Sequence, residues 1–323
     1  MKAMLLAAGL GTRLGALGQA LPKPLLPICG YPAIRFGLAA CVRAGLKEVV
    51  VNLHHHGDLI RGALGDGGAM GLEVAYSDEA ELLGTGGGLA RARHLLGNEA
   101  VLVMNAKVVA DIDLRSLIAW HQASGADATL VLRDDPAARS WGAICSDEDG
   151  RVVGILDARA PRGPRGAVVE RMFTGIQVVG PAILDRLRPV FSDSIRDGYI
   201  PALRDGADIR AWVLPGYFAE HSTPERYLSG NLALLRAPSL IPHPPGPLTG
   251  VHDRADVAPT ARIIGPVRID ADAVVEAHAT VGPEVVVGSG AVVKSNARIS
   301  RAVLWPNAQA EGNVEHTVLT ASS

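Results

Sequence analysis

Two basic side chains near the start of the chain are the first candidates for chemistry. Arg13 follows a glycine-rich turn, and Lys23 lies between two prolines that stiffen its backbone. A guanidinium presents a planar fork of donors and an ammonium is a compact point charge, so both neutralise phosphate oxygens. Glycines also let a turn bring its backbone N–H groups close to an anion. The stretch therefore predicts a phosphate site built from amides and two cations.

The element that must position this site is a short apolar run, residues 4–8, directly before the turn. Its length and the glycines after it predict a buried strand. Dinucleotide-binding folds and Walker loops also begin with a strand and a glycine-rich turn. The third glycine of the dinucleotide motif would fall at Leu14, however, and no Gly-Lys-Ser/Thr follows for a Walker loop. The spacing fits neither motif.

Two sequence blocks carry a more specific signal. Residues 9–14 read Gly-Leu-Gly-Thr-Arg-Leu, and residues 22–27 read Pro-Lys-Pro-Leu-Leu-Pro. In their order and distance they resemble the signature of the sugar-1-phosphate nucleotidyltransferases, or nucleotide-sugar pyrophosphorylases. The resemblance implies that an NTP and a sugar 1-phosphate give a nucleotide sugar and pyrophosphate, with Lys23 neutralising charge at the reacting phosphates. It assigns the binding of the NTP to Ala8, Gly9, Gly11, Thr12 and Arg13.

A second glycine-rich segment, residues 83–89, opens a predicted helix that runs to about Leu96. The N–H groups in the first turn of a helix are donors, and glycines let a flat or anionic ligand approach them. The segment is similar to a Leu-Gly-Thr-Ala/Gly-Gly stretch of the family, which contacts the nucleotide base. By this resemblance, Gly84, Thr85 and Gly86 take that role. The alternative is a loop whose glycines serve close packing only.

The predicted strand over residues 100–104 ends with the main departure from the family. There the family continues into Asn-Gly-Asp, whose carboxylate holds the catalytic Mg²⁺, whereas this chain reads Asn105-Ala106-Lys107. A charged lysine has no lone pair with which to coordinate a cation. The second metal carboxylate of the family corresponds to Glu220, three residues before Thr223-Pro224. The resemblance thus implies a Mg²⁺ site in which Glu220 is the one carboxylate that is kept.

Two interpretations of Lys107 stay open. In the first, its ammonium takes over part of the metal's task and acts with Arg13 and Lys23 as a catalytic cation, because phosphoryl-type transfer depends largely on charge neutralisation. In the second, the site binds a nucleotide sugar without turning it over, and the chain is a regulatory subunit of a paralogous active enzyme. A lone ammonium does not order both reacting oxygens about one centre. We expect a transferase, with the regulatory subunit as the alternative.

Three further residues are candidate sugar contacts. Gly142 corresponds to a glycine that lies against the sugar in the family. The stretch 173–176, Phe-Thr-Gly-Ile, resembles the Phe-Ser-Gly-Ile of the N-acetylmuramate-1-phosphate uridylyltransferases, which adds Thr174 and Gly175. Plain strand packing is the alternative for both. The architecture favours guanylyl transfer to mannose 1-phosphate, while thymidylyl and uridylyl transfer stay open.

The alternation of strand and helix patterns predicts an α/β fold for residues 1–236. Strand, helix and strand succeed one another at spacings that imply right-handed parallel crossovers, as in the helix 34–44 before the strand 48–53. Two short strands flanking the turn 148–150 predict a hairpin. Together with the family resemblance, this alternation implies a Rossmann-like nucleotidyltransferase domain with a mixed, mainly parallel sheet.

A proline-rich linker over residues 237–250 precedes a change of period. From Val251 to Ile299 an aliphatic residue recurs every six positions, and a small apolar residue follows each of them four positions later. This hexapeptide repeat predicts a short left-handed parallel β-helix over 251–323, in which three six-residue faces make one coil. We expect about three coils, with the register held until Trp305.

The predicted β-helix has two candidate roles. Many hexapeptide proteins are acyltransferases, and His278 and His316 are available bases. The outward positions show no obvious pairing of a base with a nucleophile, however. We expect an assembly or regulatory element, because the open ends and flat faces of such coils favour self-association into a homo-oligomer.

Composition sets the outer bounds. The 31 basic and 33 acidic residues give a net charge of −2, which points to neither a nucleic-acid nor a membrane partner. No apolar stretch is long enough to span a bilayer, and Arg13 interrupts the first apolar run too early for a signal peptide. Cys29, Cys41 and Cys145 show no metal-site spacing and fit a reducing compartment. We expect a cytoplasmic protein.

Overall fold

The computed structural model describes residues 1–321, with the exception of the Trp141 side chain. The chain forms two compact units. Unit 1 comprises Met1–Leu10, Gly37–Val108 and Ile112–Phe218, and unit 2 comprises Gly11–Phe36, Val109–Asp111 and Ala219–Ser323. The predicted β-helix region belongs to unit 2, and its last two positions, 322 and 323, lie outside the described residues.

Strands and helices alternate through the first 236 residues. The strands are β1 Lys2–Leu6, β2 Pro27–Ile28, β3 Tyr31–Pro32, β4 Glu48–Leu53, β5 Glu73–Asp78, β6 Val101–Asn105, β7 Val108–Ala110, β8 Ala128–Arg133, β9 Ile144–Ser146, β10 Val152–Ile155, β11 Ala158–Arg159, β12 Val169–Val179, β13 Ile209–Val213 and β14 Phe218–Glu220. The helices are α1 Ala16–Ala20, α2 Ala33–Arg43, α3 Gly57–Leu64, α4 Gly84–Arg91, α5 Arg93–Leu96, α6 Leu114–Ser124, α7 Pro181–Leu184, α8 Ile200–Arg204 and α9 Pro224–Arg236, and a π-helix spans Ser194–Tyr199. Within residues 1–321, no helix combines the length and the apolar character that crossing a bilayer requires.

The central sheet of unit 1 has the strand order β11-β10-β9-β12-β6-β1-β4-β5, and β8 pairs with β12 and carries β13 at its other edge. β1 pairs in parallel with β4 and β6, whereas β12 runs antiparallel to β6. The middle residues of β1 and β6 are buried on both faces, which explains why these strands read as continuous apolar runs. The predicted Rossmann-like fold with a mixed, mainly parallel sheet is confirmed.

Two helices begin at a residue whose side chain caps the first turn. Asp113 accepts a hydrogen bond from the Ser116 N–H at 3.1 Å at the start of α6, and Thr223 accepts one from the Arg226 N–H at 3.3 Å at the start of α9. Each side chain thus gives a partner to a backbone N–H in the first turn of its helix. The prediction of a single helix up to Leu96 is wrong. The helix is interrupted between α4 and α5 at Ala92, whose ψ of −4° turns the backbone.

Beyond α9, unit 2 continues as a parallel β-helix. Its strands are β15 Gly250–Val251, β16 Asp256–Val257, β17 Arg262–Ile263, β18 Val267–Ile269, β19 Val274–Val275, β20 Thr280–Val281, β21 Val285–Val287, β22 Val292–Val293, β23 Arg298–Ser300, β24 Ala302–Leu304, β25 Gln309–Ala310, β26 Asn313–Glu315 and β27 Val318–Leu319. They form three parallel sheets, one per face of the coil. Val267 pairs with Val285, three hexapeptides further on, so the predicted left-handed β-helix is confirmed.

The hexapeptide register ends earlier than the sequence predicts. Val285 pairs with Ala302, so the coil through the turn at Arg301 is one residue shorter than the coil before it. Core positions pass to Ala302 and Leu304, so the prediction that the register holds until Trp305 is wrong. Val303 is buried outside that core, because α9 packs against β21 and β24. Pairing continues to β27, so the β-helix has four coils and one further strand rather than about three coils.

Candidate nucleotide site

The strand order of unit 1 reverses at β1. The chain moves from β1 to β4 and β5 on one side and then returns to β6 on the other side. In open α/β sheets, ligands bind beyond the carboxyl ends of the strands at such a switch point. Ala8 and Gly9 follow β1, and Lys107 follows β6. The Ala106 N–H donates to the Leu6 carbonyl at 3.1 Å, so these two strand ends lie side by side.

A buried hydrogen-bond network joins the turn after β1 to the start of α4. The Asn52 side chain, in β4, accepts a hydrogen bond from the Ala7 N–H at 2.8 Å and donates to Glu79 Oε1 at 2.7 Å. The other Glu79 oxygen accepts from the Leu83 N–H at 3.0 Å. Sequence reasoning missed both Asn52 and Glu79. The available signal for Asn52 was its position as a polar residue inside the apolar strand β4, because a buried polar group requires partners.

The predicted base-contacting residues take part in close packing. A Cβ on Gly84, which has a φ of 71°, would lie 2.5 Å from the Ser192 carbonyl oxygen. The Gly86 N–H donates to that same oxygen at 2.9 Å, and Thr85 Oγ1 accepts from the Ser194 N–H at 2.9 Å. These contacts hold the start of α4 against the segment before α8. The packing alternative accounts for them, and base contact by Gly84, Thr85 and Gly86 stays a prediction.

Gly175, one of the predicted sugar contacts, lies beside the end of β6. It has a φ of 76° and sits where the pairing of β12 with β8 shifts register. A side chain at this position would overlap the Asn105 amide. Bulges of this kind are common next to active sites, where they re-aim the backbone. Gly175 therefore shares the carboxyl end of β6 with Lys107.

The other two predicted sugar contacts have structural partners in unit 1. Thr174 is 2% exposed and donates its hydroxyl to the Val131 carbonyl at 2.8 Å. Gly142 has a φ of 83°, and a Cβ there would lie 3.0 Å from the Leu156 side chain. Strand and hairpin packing account for both positions, and sugar contact by either stays a prediction.

Unit 2, by itself, contains other predicted site residues. Lys23 begins a 3-10 turn between two buried prolines. Its Cε lies 3.9 Å from the point where a Cβ on Gly11 would stand. Gly11 has a φ of 76°, a left-handed conformation that favours glycine. The structure thus brings the Lys23 side chain to the glycine turn, next to Thr12 and Arg13.

Arg13 faces the predicted metal ligand Glu220. Its Nη2 lies 4.0 Å from Glu220 Oε1, and the two side chains are 56% and 18% exposed, respectively. An ion pair this long, with one partner mostly in solvent, holds the guanidinium only weakly. Arg13 is therefore able to turn towards a ligand at low cost. Sequence reasoning did not predict this pairing.

The donor set of this site does not fit a metal held by protein side chains alone. In the described part of the chain, no group of three or more His, Cys, Asp or Glu side chains is arranged to hold a metal ion. Glu220 faces the Arg13 guanidinium, and the family resemblance predicts the other carboxylate at a position where this sequence has Lys107. A hard cation such as Mg²⁺ requires oxygen ligands, which a lysine does not supply.

Two cavities in unit 1 lie away from the predicted site. One of about 250 Å³ is lined by Arg151, Arg162 and Arg210 among others, and one of about 390 Å³ is lined by Lys2 and Glu73 among others. Neither includes a predicted site residue. In unit 1, the predicted site residues that follow β1 and β6 lie at the switch point of the sheet and line neither of these cavities.

Known proteins are similar to this chain in sequence and in fold. The sequence model of the family described as Nucleotidyl transferase matches residues 2–157. A mannose-1-phosphate guanylyltransferase of Mycobacterium tuberculosis is 32% identical over 269 residues, which cover 81% of this chain and 73% of that protein. The chain belongs to the nucleotidyl transferase family, as the resemblance of its two signature blocks predicts. Members of this family generally use a divalent metal such as Mg²⁺.

A further relative and a solved structure are also similar to this chain. The mannose-1-phosphate guanyltransferase beta-A of Xenopus laevis is 29% identical over 243 residues, which cover 73% of this chain and 65% of that protein. A crystal structure of HddC from Yersinia pseudotuberculosis complexed with GMP-PN has a TM-score of 0.59 at 22% identity, covering 72% of this chain and 99% of that chain. At that identity the likeness concerns the fold alone.

Proposed function

We propose that this chain joins an NTP and a sugar 1-phosphate into a nucleotide sugar and releases pyrophosphate. One observation carries the proposal: the turn after β1 and Lys107 after β6 leave adjacent strand ends at the switch point of the sheet. This is where a doubly wound sheet binds its ligand, and glycine-rich backbone there suits a polyphosphate.

The proposed mechanism depends on charge and position. A phosphate oxygen of the sugar 1-phosphate attacks the α-phosphate in line, and pyrophosphate leaves. The glycine turn and Arg13 hold the triphosphate, and Lys23 stabilises the charge that builds on the reacting phosphates. Lys107 supplies a fixed positive charge at the position where the family has its metal-binding aspartate. Glu220 would be the one protein oxygen donor for a Mg²⁺ ion that arrives with the triphosphate, and such an ion would add charge neutralisation at the phosphate oxygens.

GTP and mannose 1-phosphate are the leading substrate pair. Relatives named as mannose-1-phosphate guanylyltransferases align with 81% and 73% of the chain. Thymidylyl and uridylyl transfer are the alternatives, because base choice depends on a few contacts around Gly84 and sugar choice depends on contacts such as Gly142, Thr174 and Gly175.

A specific observation favours a second candidate function. The missing carboxylate at Lys107 and the donor set around Glu220 fit a chain that binds a nucleotide sugar without turning it over. Such a chain would serve as a regulatory subunit of a catalytically active paralogue. Binding would persist in this case, since the glycine turn and Arg13 do not depend on the metal.

One experiment separates the two functions. Pyrophosphate release is measured with ATP, GTP, dTTP and UTP, each with mannose 1-phosphate or glucose 1-phosphate, with and without Mg²⁺. We expect release with at least one pair. If no pair reacts while GDP-mannose or another nucleotide sugar raises the melting temperature, the regulatory function is supported instead. If no nucleotide or nucleotide sugar changes the melting temperature either, both proposals fail.

The domain organisation and assembly belong to the same proposal. Residues 1–236 would form the nucleotidyltransferase domain, 237–250 the linker and 251–323 the β-helix domain. Val251, in the first coil, is 45% exposed, and β15, β16 and β17 each pair with only one neighbour among the described strands. Open strand edges favour pairing with a second copy, so we expect a homo-oligomer. Three free, buried cysteines fit the reducing cytoplasm.

A further inference from the structure

Tyr227 of α9 connects separate parts of unit 2 through one side chain. Its hydroxyl donates a hydrogen bond to the Pro27 carbonyl at 2.7 Å and accepts one from the Trp305 indole N–H at 2.9 Å. Tyr227 is 0% exposed and Trp305 is 4% exposed. Burial raises the pKa of the Tyr227 phenol, so the hydroxyl keeps the proton that it donates. Breaking either bond leaves buried polar groups without partners, which is costly.

The Tyr227 ring lies against two other aromatic rings. Its centroid is 6.2 Å from that of Trp305 at an interplanar angle of 85°, and 6.4 Å from that of His221 at 75°. Both are edge-to-face arrangements of the kind that stabilise aromatic pairs. His221 directly follows Glu220 in the chain. Trp305, in the last full coil of the β-helix, thus supports the segment that carries Glu220.

The Pro27 carbonyl belongs to the segment that carries Lys23. Pro27 lies four residues after Lys23 and begins β2, which pairs with β3 across the turn Cys29-Gly30. The Cys29 N–H donates to Asn231 Oδ1 of α9 at 2.7 Å. Two backbone groups of this hairpin are therefore hydrogen-bonded to α9: the Pro27 carbonyl and the Cys29 N–H.

The outer side of the same hairpin meets the β-helix. Gly30 has a φ of 87°, and a Cβ there would lie 2.7 Å from Asp270 Oδ1. Asp270 is held by the Arg268 guanidinium, whose Nε lies 2.6 Å away, and both side chains are nearly buried. The Arg268 guanidinium also lies 5.7 Å from the centre of the Tyr31 ring. The hairpin thus packs between α9 and the second coil of the β-helix.

We propose that the β-helix positions the Lys23 and Glu220 segments, with Trp305 and Tyr227 as the positioning residues. The consequence for catalysis rests on the proposed function of Lys23. A rigid coil with parallel strands is a suitable support, because a shift of about 1 Å in a reacting group costs about a hundredfold in rate. This gives the β-helix a task within one copy of the chain, separate from any role in assembly.

Two substitutions and two matched controls test the inference. Tyr227→Phe removes the hydroxyl that joins Trp305 to Pro27. Its control is Tyr199→Phe in unit 1, since the Tyr199 hydroxyl is buried and makes no hydrogen bond within the described chain. Trp305→Phe keeps an aromatic ring but removes the indole N–H, and it serves if Tyr227→Phe fails to fold. Its control is Trp120→Phe in α6, outside both the hairpin and the β-helix.

Two buried thiols give a readout that does not depend on activity. Burial raises the pKa of both Cys29 and Cys41 to about 12, so neither reacts with an aromatic disulfide reagent at pH 8 unless its surroundings open. Cys29 lies in the hairpin turn of unit 2, and Cys41 lies in α2 of unit 1. We expect Tyr227→Phe to raise the labelling rate of Cys29 about tenfold while Cys41 stays at the wild-type rate. Amide exchange in a peptide covering residues 21–30 should rise in parallel.

The activity readout separates positioning from plain stability. With the best substrate pair, kcat should fall at least tenfold in Tyr227→Phe while KM for the NTP changes less than threefold, because Lys23 acts on charge that develops in the transition state. Tyr199→Phe should leave both unchanged. Equal Cys29 labelling and equal exchange of residues 21–30 in Tyr227→Phe and Tyr199→Phe would overturn the inference. If the wild-type chain shows no transferase activity, only the proposed function is overturned. The Cys29 labelling rates still test the positioning role of Tyr227 and Trp305.

Discussion

The backbone N–H of Ala7 donates to the side-chain oxygen of Asn52 at 2.8 Å, and both groups are buried. The same Asn52 amide donates to the buried carboxylate of Glu79, which in turn accepts from the Leu83 N–H. The turn that follows β1 and the segment that opens α4 are thereby held by two side chains. Buried networks of this kind fix a single arrangement when every member has a partner.

Replacing Asn52 by Leu should lower the free energy of unfolding of unit 1 by about 2–4 kcal/mol, since it leaves the Ala7 N–H and the Glu79 carboxylate without their partner. The affinity for an NTP should fall as well, because the glycine turn loses its anchor. Urea unfolding and nucleotide titration measure the two effects. Ser77→Ala is a matched control. Ser77 of β5 is the register partner of Asn52 of β4, and its buried hydroxyl makes no hydrogen bond within the described chain. Equal unfolding midpoints for the two variants would contradict this account.

Arg13→Lys should raise KM for the NTP about tenfold with a smaller change in kcat. The substitution keeps the charge but loses the planar fork that grips two phosphate oxygens at once. Initial rates at varied NTP concentration give both constants. Arg186→Lys is the control, because Arg186 forms an exposed ion pair with Asp205 in unit 1 and is not part of the site. An unchanged KM in Arg13→Lys would remove Arg13 from the triphosphate site.

The parts of the fold that the sequence predicts are those with a local cause. β1 and β6 read as strands because their residues are apolar on both faces, and the β-helix reads as such because its core residues recur every six positions. Thr223 marks a helix start because its side chain bonds to a backbone N–H only three residues away. In each case the signal lies within a window of a few residues.

The parts that the sequence does not predict depend on partners far along the chain. Gly86 donates to Ser192, and Asn52 reaches both Ala7 and Glu79, so nothing in a local window shows why these residues are required. The coil through Arg301 is shortened by one residue without any break in the apolar pattern before it. The Tyr227 contacts with Pro27 and Trp305 are of the same kind.

The stability of unit 1 should depend on pH through His121. Its Nδ1 lies 2.9 Å from the Thr129 hydroxyl between α6 and β8, and burial lowers its pKa below the ordinary value of 6.5. A histidine whose pKa is lower in the folded state binds fewer protons there than in the unfolded chain, so its contribution is present above pH 6.5 and is lost as the pH falls through the lowered value. Wild-type melting temperature should therefore drop between pH 7.5 and 5.5. In His121→Gln the drop should be smaller, and an equal drop would show that other groups cause it.

Lys107 gives the most decisive test of the reaction itself. If its ammonium performs part of the metal's task, Lys107→Ala should lower kcat about a hundredfold, as the loss of one electrostatic group does in other enzymes, and added Mg²⁺ should not restore it. Lys107→Asp should be at least as impaired, because the charge is reversed next to the phosphates. Pyrophosphate release with the best substrate pair, at zero and at millimolar Mg²⁺, measures both variants. A gain of Mg²⁺-dependent turnover in Lys107→Asp would show instead that the aspartate was the working residue and that the lysine marks a site reduced to binding.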